Sequence, residues 1–276
     1  MKSKIPIIAI IGPTGVGKTA LSIRLAKSLR GEVISVDSIQ VYKDASIMSG
    51  AATPQEMGIV KHHLLNYLDA WEEPQDFVPT AIRTIQTIHD RGNLPILCGG
   101  SLSLTEPLLF HPFVEQQELF VIFLDSQLEK LGRLTDCRID GMVADGIKDE
   151  VRRLYELEKQ NTHIKTTNTG AWKSIGYTEL RKSCEEPDPQ MSDEIFQEGV
   201  KVMKENTRAY FHLQLEHIWF STLPELFRRQ HKCCVLNVDS KRTFKRDVEL
   251  PAIQKCENWL SQVASSPWNS SLRTSR

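Results

Sequence analysis

The sequence lacks a charge imbalance, a long apolar run and any paired-cysteine pattern. Among its 276 residues, 34 Lys and Arg meet 35 Asp and Glu, leaving a net charge of −1. So even a balance argues against a dedicated nucleic-acid binder, although a local basic patch is compatible with it. No segment reaches the roughly 18 apolar residues needed to span a bilayer. The apolar stretch Ile5–Ile11 runs into a glycine loop and precedes no small-residue cleavage site, so it reads as a buried strand, not a signal peptide. The cysteines at 98, 137, 184, 233, 234 and 256 form no C-x-x-C pair and no metal-ligand spacing. They predict reduced, mostly buried thiols in a cytoplasmic protein. No internal repeat is present. Composition, with 40% apolar and 25% charged residues, excludes a disordered, collagen-like or coiled-coil chain.

What is present is an alternation of two periods. Ile5–Ile11, Glu32–Val36, Leu94–Cys98, Leu119–Leu124 and Cys233–Val238 are short apolar runs that predict strands buried on both faces. Gly17–Leu29, Gln75–Arg91, Ser126–Met142, Ile147–Gln160, Gly170–Lys182 and Ser192–Phe220 carry helical spacing. The pattern predicts an α/β fold: a P-loop NTPase-like open, mostly parallel sheet flanked by helices, with a small helical subdomain. The expected division is a core over 1–145, the helical subdomain over 146–230 and a return to the core over 231–264. Cys184–Asp193, with two prolines and four acids, predicts a surface loop, and the polar stretch 265–276 a disordered tail.

Gly12-Pro13-Thr14-Gly15-Val16-Gly17-Lys18-Thr19 matches G-x-x-x-x-G-K-S/T between a predicted strand and a predicted helix. Its glycines let backbone N–H groups turn toward an anion, and the helix start adds its positive end. Lys18 can neutralise a terminal phosphate, and the Thr19 hydroxyl can hold Mg²⁺. The motif indicates a diphosphate or triphosphate but not a reaction. An acid at a strand end, Asp125 or Asp37, would suit a small-molecule kinase. Asp37 begins the segment Asp37-Ser38-Ile39-Gln40-Val41-Tyr42 after the second strand. At the carboxyl edge of an open sheet it would lie near the P-loop, where a carboxylate can bind Mg²⁺ or take a proton. It can equally cap a turn.

Together with these two motifs, H-H-L-L at 62–65 and G-N-L-P-I-L-C-G-G-S at 92–101 resemble the isopentenyltransferase family, the tRNA dimethylallyltransferases and adenylate isopentenyltransferases. D-C-R-I-D-G-M-V-A-D-G at 136–146 and G-A-W-K-S-I-G-Y-T-E-L at 170–180 extend the resemblance across about residues 5–220. The resemblance implies transfer of a dimethylallyl group from dimethylallyl diphosphate to the N6 amine of an adenine, with Mg²⁺. It implies that Gly12, Gly15, Val16, Gly17, Lys18 and Thr19 hold the diphosphate, Thr19 also touching the metal. It further implies that Asp37 accepts the amine proton, that Thr14 lies near the reacting carbon, and that Arg138 is a second cation on the diphosphate. Ser101 stands where the family has a Ser or Thr, and Lys173 is a further candidate for phosphate. Ser38, Gln40 and Trp172 are expected on the acceptor side, Trp172 either stacking on the acceptor or buried. His62-His63 fits the family pattern and not a chelate, because adjacent strand residues face opposite ways.

Three features favour a small acceptor. Only about eight residues separate the helix ending near Phe110 from the strand at Leu119, where tRNA enzymes of this family insert a helical domain. Arg208-Ala209-Tyr210-Phe211-His212-Leu213-Gln214 keeps the Arg, Tyr and Gln of an R-x-Y-x-K-R-Q stretch but lacks its Lys-Arg pair. Phosphate neutralisation dominates nucleic-acid affinity, and the net charge is −1. The short form resembles adenylate isopentenyltransferases acting on AMP, ADP or ATP, with cytokinin synthesis as the implied role. Lys165 and Arg181 are further basic residues that could meet acceptor phosphates. The apolar stretch Ser101–Glu106 keeps open another small aromatic acceptor, such as a phenol. The basic cluster Lys241, Arg242, Lys245 and Arg246 reads as a solvated loop. Partners are therefore dimethylallyl diphosphate and a small acceptor, with tRNA and membrane not expected and a monomer the simpler oligomeric state.

Overall fold

A computed structural model describes residues 4–160 and 169–265. Lys165 and nearly all of the expected tail lie outside the described residues. Strands β1 (Pro6–Ile11), β2 (Gly31–Val36), β3 (His62–His63), β4 (Leu94–Gly99), β5 (Glu118–Asp125) and β6 (Lys232–Asn237) form one sheet in the order β3-β2-β4-β1-β5-β6. Every pairing is parallel. A parallel sheet is covered on both faces, which is why its central strands read as continuous apolar runs. Ile7, Ile8, Ala9 and Ile10 of β1 are fully buried, and each buried isoleucine contributes about 1.5–3 kcal/mol relative to exposure.

The helices are α1 (Lys18–Leu29), α2 (Pro54–Met57), α3 (Phe77–Asp90), α4 (Thr105–Leu109), α5 (Pro112–Glu115) and α6 (Leu128–Ala144). They continue with α7 (Ile147–Gln160), α8 (Tyr177–Leu180), α9 (Pro189–His217), α10 (Leu223–Arg228) and α11 (Leu250–Ser265). The five expected strands match within two residues at each end. The two-residue edge strand β3 carried no periodicity that a sequence could show. Its His63 Nε2 lies 2.6 Å from buried Glu32, which also accepts from Arg91 and Asn93 at 2.6 Å each. The histidine pair thus serves the edge of the sheet.

Two helical expectations need correction. Gly170–Lys182 is not one helix: a 3-10 turn at Gly170–Lys173 is followed by α8 and a second 3-10 turn, Arg181–Cys184. Gly176, at φ 109°, breaks it. The expected loop 184–193 ends early, because Asp188 caps α9 by accepting from Met191 N, with Pro189 in the first turn. That placement follows the preference for Pro at a helix start. At the other end, α9 passes into a π-helical turn, Ile218–Thr222, before α10. No described helix is long and apolar enough to cross a membrane, and all six cysteines are free.

Candidate active site

The site lies where β1, β2 and β4 end. Gly12, Gly15 and Gly17 have φ of 153°, 78° and 103°, so the P-loop curls as its motif predicts. Helix α1 begins at Lys18 with no acid in its first turn, leaving its N-terminal N–H groups and positive end uncompensated. Lys18 donates to the Pro13 carbonyl at 2.7 Å. Burial pushes its ammonium down to about 8, with Cys98 and Asp37 opposing and Arg138 adding to the shift. Thr19 is half-buried in the first turn of α1.

Asp37 directly follows β2. Its Oδ1 accepts from the N–H groups of Ile39 at 2.9 Å and Gln40 at 3.3 Å, so one oxygen does cap a turn. The same carboxylate acts electrostatically on Lys18, Arg138 and Tyr210. Cap and charge therefore coexist: the turn fixes the carboxylate at the mouth of the sheet. Arg138 arrives from α6, donating to the Thr14 hydroxyl and to the Ser49 carbonyl, both at 2.8 Å. Burial lowers its pKa, and Asp37 opposes this. Thr14, Lys18, Asp37 and Arg138 thus converge as expected, with Gly12, Gly15, Val16, Gly17 and Thr19 in the loop around them.

Of the other expected residues, Trp172, Lys173 and Arg181 have their partners away from the P-loop, whereas Gln40, Ser38 and Ser101 border the site. Trp172 is fully buried and donates its indole N–H to Leu154 O at 3.1 Å, so no face is left for an acceptor to stack on. Lys173 pairs with Glu73 at 2.7 Å, on a turn docked against Ala70, and not with the P-loop. Arg181 pairs with Glu158 and Glu185. Gln40 is occupied: Oε1 accepts from Ser35 at 2.9 Å, and Nε2 lies 3.5 Å from the Ser49 and Gly50 carbonyls. Ser38 is partly exposed beside Asp37. Ser101 is buried next to Gly100 with its hydroxyl 3.2 Å from that of Ser103. Asp125, the alternative metal acid, accepts from Ser126 N at 2.9 Å and faces the Trp219 indole N–H.

Three contributors had no site role in the sequence reading: Glu150 went unnoticed, and Tyr210 and Gln214 figured only as retained members of the R-x-Y-x-K-R-Q stretch. Tyr210 of α9 stands beside Asp37, with the Leu102 backbone at its hydroxyl; burial, then Asp37, push it up to about 12. Gln214, one turn on, is buried and bonded to both Thr14 and Gly100. Their i, i+4 spacing was a usable signal. Glu150 of α7, 1% exposed, accepts from the N–H groups of Ile47 and Met48 at 2.8 and 2.7 Å. It holds the loop that carries the Ser49 carbonyl to Arg138, and nothing local in the sequence announces that.

Comparison with known proteins places the chain in a family. The family model described as isopentenyl transferase matches residues 5–164. A bifunctional cytokinin biosynthesis protein of Fusarium pseudograminearum is 38% identical over 92% of this chain, and the chain spans 52% of that protein. Adenylate isopentenyltransferase 5 of Arabidopsis thaliana is 29% identical over 95% of this chain and 78% of its own length. The tRNA dimethylallyltransferase of Streptococcus gordonii is 30% identical over 80% of this chain and 90% of its own. A eukaryotic dimethylallyltransferase acting on tRNA has the same fold, with a TM-score of 0.78 at 24% identity over 94% of this chain and 80% of that one. The protein is a member of the isopentenyl transferase family.

Proposed function

We propose that the protein transfers a dimethylallyl group from dimethylallyl diphosphate to the N6 amine of AMP, ADP or ATP. The observation that carries the chemistry is the convergence of Asp37, Lys18, Arg138 and Thr14 at one strand edge. Ionising an allylic C–O bond builds charge on the leaving diphosphate. Loop N–H groups, Lys18 and Arg138 are preorganised to meet that charge. The adenine amine is a weak nucleophile, and Asp37 is fixed to accept its proton as the C–N bond forms.

Mg²⁺ fits this donor set. The ion takes few protein ligands, keeps waters and binds phosphate oxygens, and half-buried Thr19 offers a hydroxyl in the first turn of α1. No cluster of three His, Cys, Asp or Glu exists among the described residues to hold a metal by protein alone. Mg²⁺ held by Thr19 and the diphosphate would add charge stabilisation to the leaving group.

A small acceptor is supported by the connection from α5 to β5, which is only Gln116 and Gln117. The alignment with the Streptococcus gordonii enzyme runs over 283 positions but uses 80% of this 276-residue chain, about 220 residues. Some sixty positions therefore fall opposite gaps, in keeping with a missing insertion. A second reading, another small aromatic acceptor, rests on the apolar composition of Ser101–Glu106, the segment whose Leu102 backbone meets the Tyr210 hydroxyl. The test is incubation with Mg²⁺, labelled dimethylallyl diphosphate and each of AMP, ADP and ATP, following the label by mass. An N6-prenylated nucleotide supports the proposal. Product only with a phenol, or only with tRNA, overturns the nucleotide assignment.

A further inference from the structure

We infer that Gln214 is a positioning residue for the diphosphate, setting the orientation of the P-loop from helix α9. This rests on the diphosphate reading of that loop. The Gln214 amide is 3% exposed, and both of its ends are committed. Oε1 accepts from Thr14 N at 2.8 Å, and Nε2 donates to Gly100 O at 2.7 Å. Only one orientation of the amide satisfies both partners. A residue 200 positions from Thr14 thereby ties the tip of the P-loop to the end of β4.

The consequence concerns which N–H groups can meet an anion. The Thr14 N–H is turned to α9, and its hydroxyl accepts from Arg138. The donors left to face a diphosphate are those from Gly15 onward. Lys18 lies in the same nest: a Cβ built on Gly100 would sit 3.2 Å from Lys18 Nζ and 3.3 Å from Gln214 Nε2. A buried amide has a desolvation cost that its hydrogen bonds only offset. An apolar side chain of similar volume would fill the space without that cost, and it would leave the loop tip unanchored.

The test uses Gln214→Leu and Gln214→Glu. Leucine keeps the volume and removes both bonds. The expected result is a roughly tenfold or larger rise in the Kd for inorganic pyrophosphate and the KM for dimethylallyl diphosphate, with acceptor KM within about twofold. The introduced carboxyl can accept from Thr14 and donate to Gly100 only while protonated. Its pyrophosphate affinity relative to wild type should be near one at low pH and fall as pH rises through its pKa. Burial favours its neutral form; Lys18 from α1 and Arg138 behind Thr14 favour the ionised one. Cys98 of β4, Asp37, Tyr210 and, one turn along α9, His217 with Glu106 are further titratable groups around this site. Unchanged Kd and KM in Gln214→Leu, a lowered Tm alone, or a pH-independent affinity ratio in Gln214→Glu would each overturn the inference. If the leucine variant fails to fold, the ratio for Gln214→Glu decides. A wild type that neither binds pyrophosphate nor turns over dimethylallyl diphosphate overturns the underlying reading and this inference with it.

Discussion

The guanidinium of Arg138 donates to the hydroxyl of Thr14 across 2.8 Å and 124 residues of sequence, so the second cation and the P-loop tip form one unit. Its other nitrogen holds the Ser49 carbonyl. Gly50 lies beneath, where an added Cβ would come within 2.0 Å of Nη2 at a φ of 57°.

Arg138→Ala should therefore lower kcat/KM for dimethylallyl diphosphate by about 10²–10³-fold, the size expected for a lost charge-stabilising donor. Gly50→Ala should act in the same direction with a smaller loss, by displacing the guanidinium. Steady-state kinetics at saturating acceptor checks both. An unchanged Gly50→Ala enzyme would show that the close approach does not matter.

Asp37→Asn should separate chemistry from binding. The amide oxygen keeps the turn bonds to Ile39 and Gln40 while losing the base. Turnover should drop about 10²–10⁴-fold, with pyrophosphate Kd changed far less. Equal, small losses in both would remove Asp37 from the role of base.

Lys18 gives a pH signature. With its ammonium lowered to about 8 by burial, part of the population is neutral just above that pH. A bound anion favours the charged form and raises the pKa, so binding takes up a proton. Pyrophosphate affinity should be full below about pH 8 and decline above it. Calorimetry in two buffers of different ionisation enthalpy near pH 8 should report the uptake, and Lys18→Met should abolish it.

Glu32 concerns stability, at the start of β2 and so at the opposite end of that strand from Asp37. Its carboxylate is lowered to about 2 by the hydrogen bonds from Asn93, His63 and Arg91, which overcome the desolvation that acts against them. The stabilisation is complete above the ordinary value of 4.5 and is lost as pH falls toward about 2. Arg91 and His63 are partly exposed, which screens the effect. Glu32→Gln should cost about 2 kcal/mol at pH 7 and much less at pH 3. Urea unfolding at the two pH values measures the difference.

The P-loop, Asp37 and Arg138 were legible because each sits in a contiguous motif whose local conformation carries its chemistry. Trp172 and Lys173 belong to an equally recognisable motif, yet one is core and the other is paired with Glu73. A motif records that a residue matters; it does not record which side of a turn the residue faces.

By itself the sequence determined five of the six strands, the phosphate loop and the alternation of strands with the long helices, since those depend on short-range periodicity, glycine backbone freedom and helix starts. Only the tertiary structure decided that α9 would lay Tyr210 and Gln214 across the ends of β2, β4 and β1. It alone made Glu150 the support of the loop around Arg138. Those contacts join residues about one hundred to two hundred positions apart, where nothing in local pattern or propensity reaches, and they form only when a buried polar group must find a partner in the packed chain.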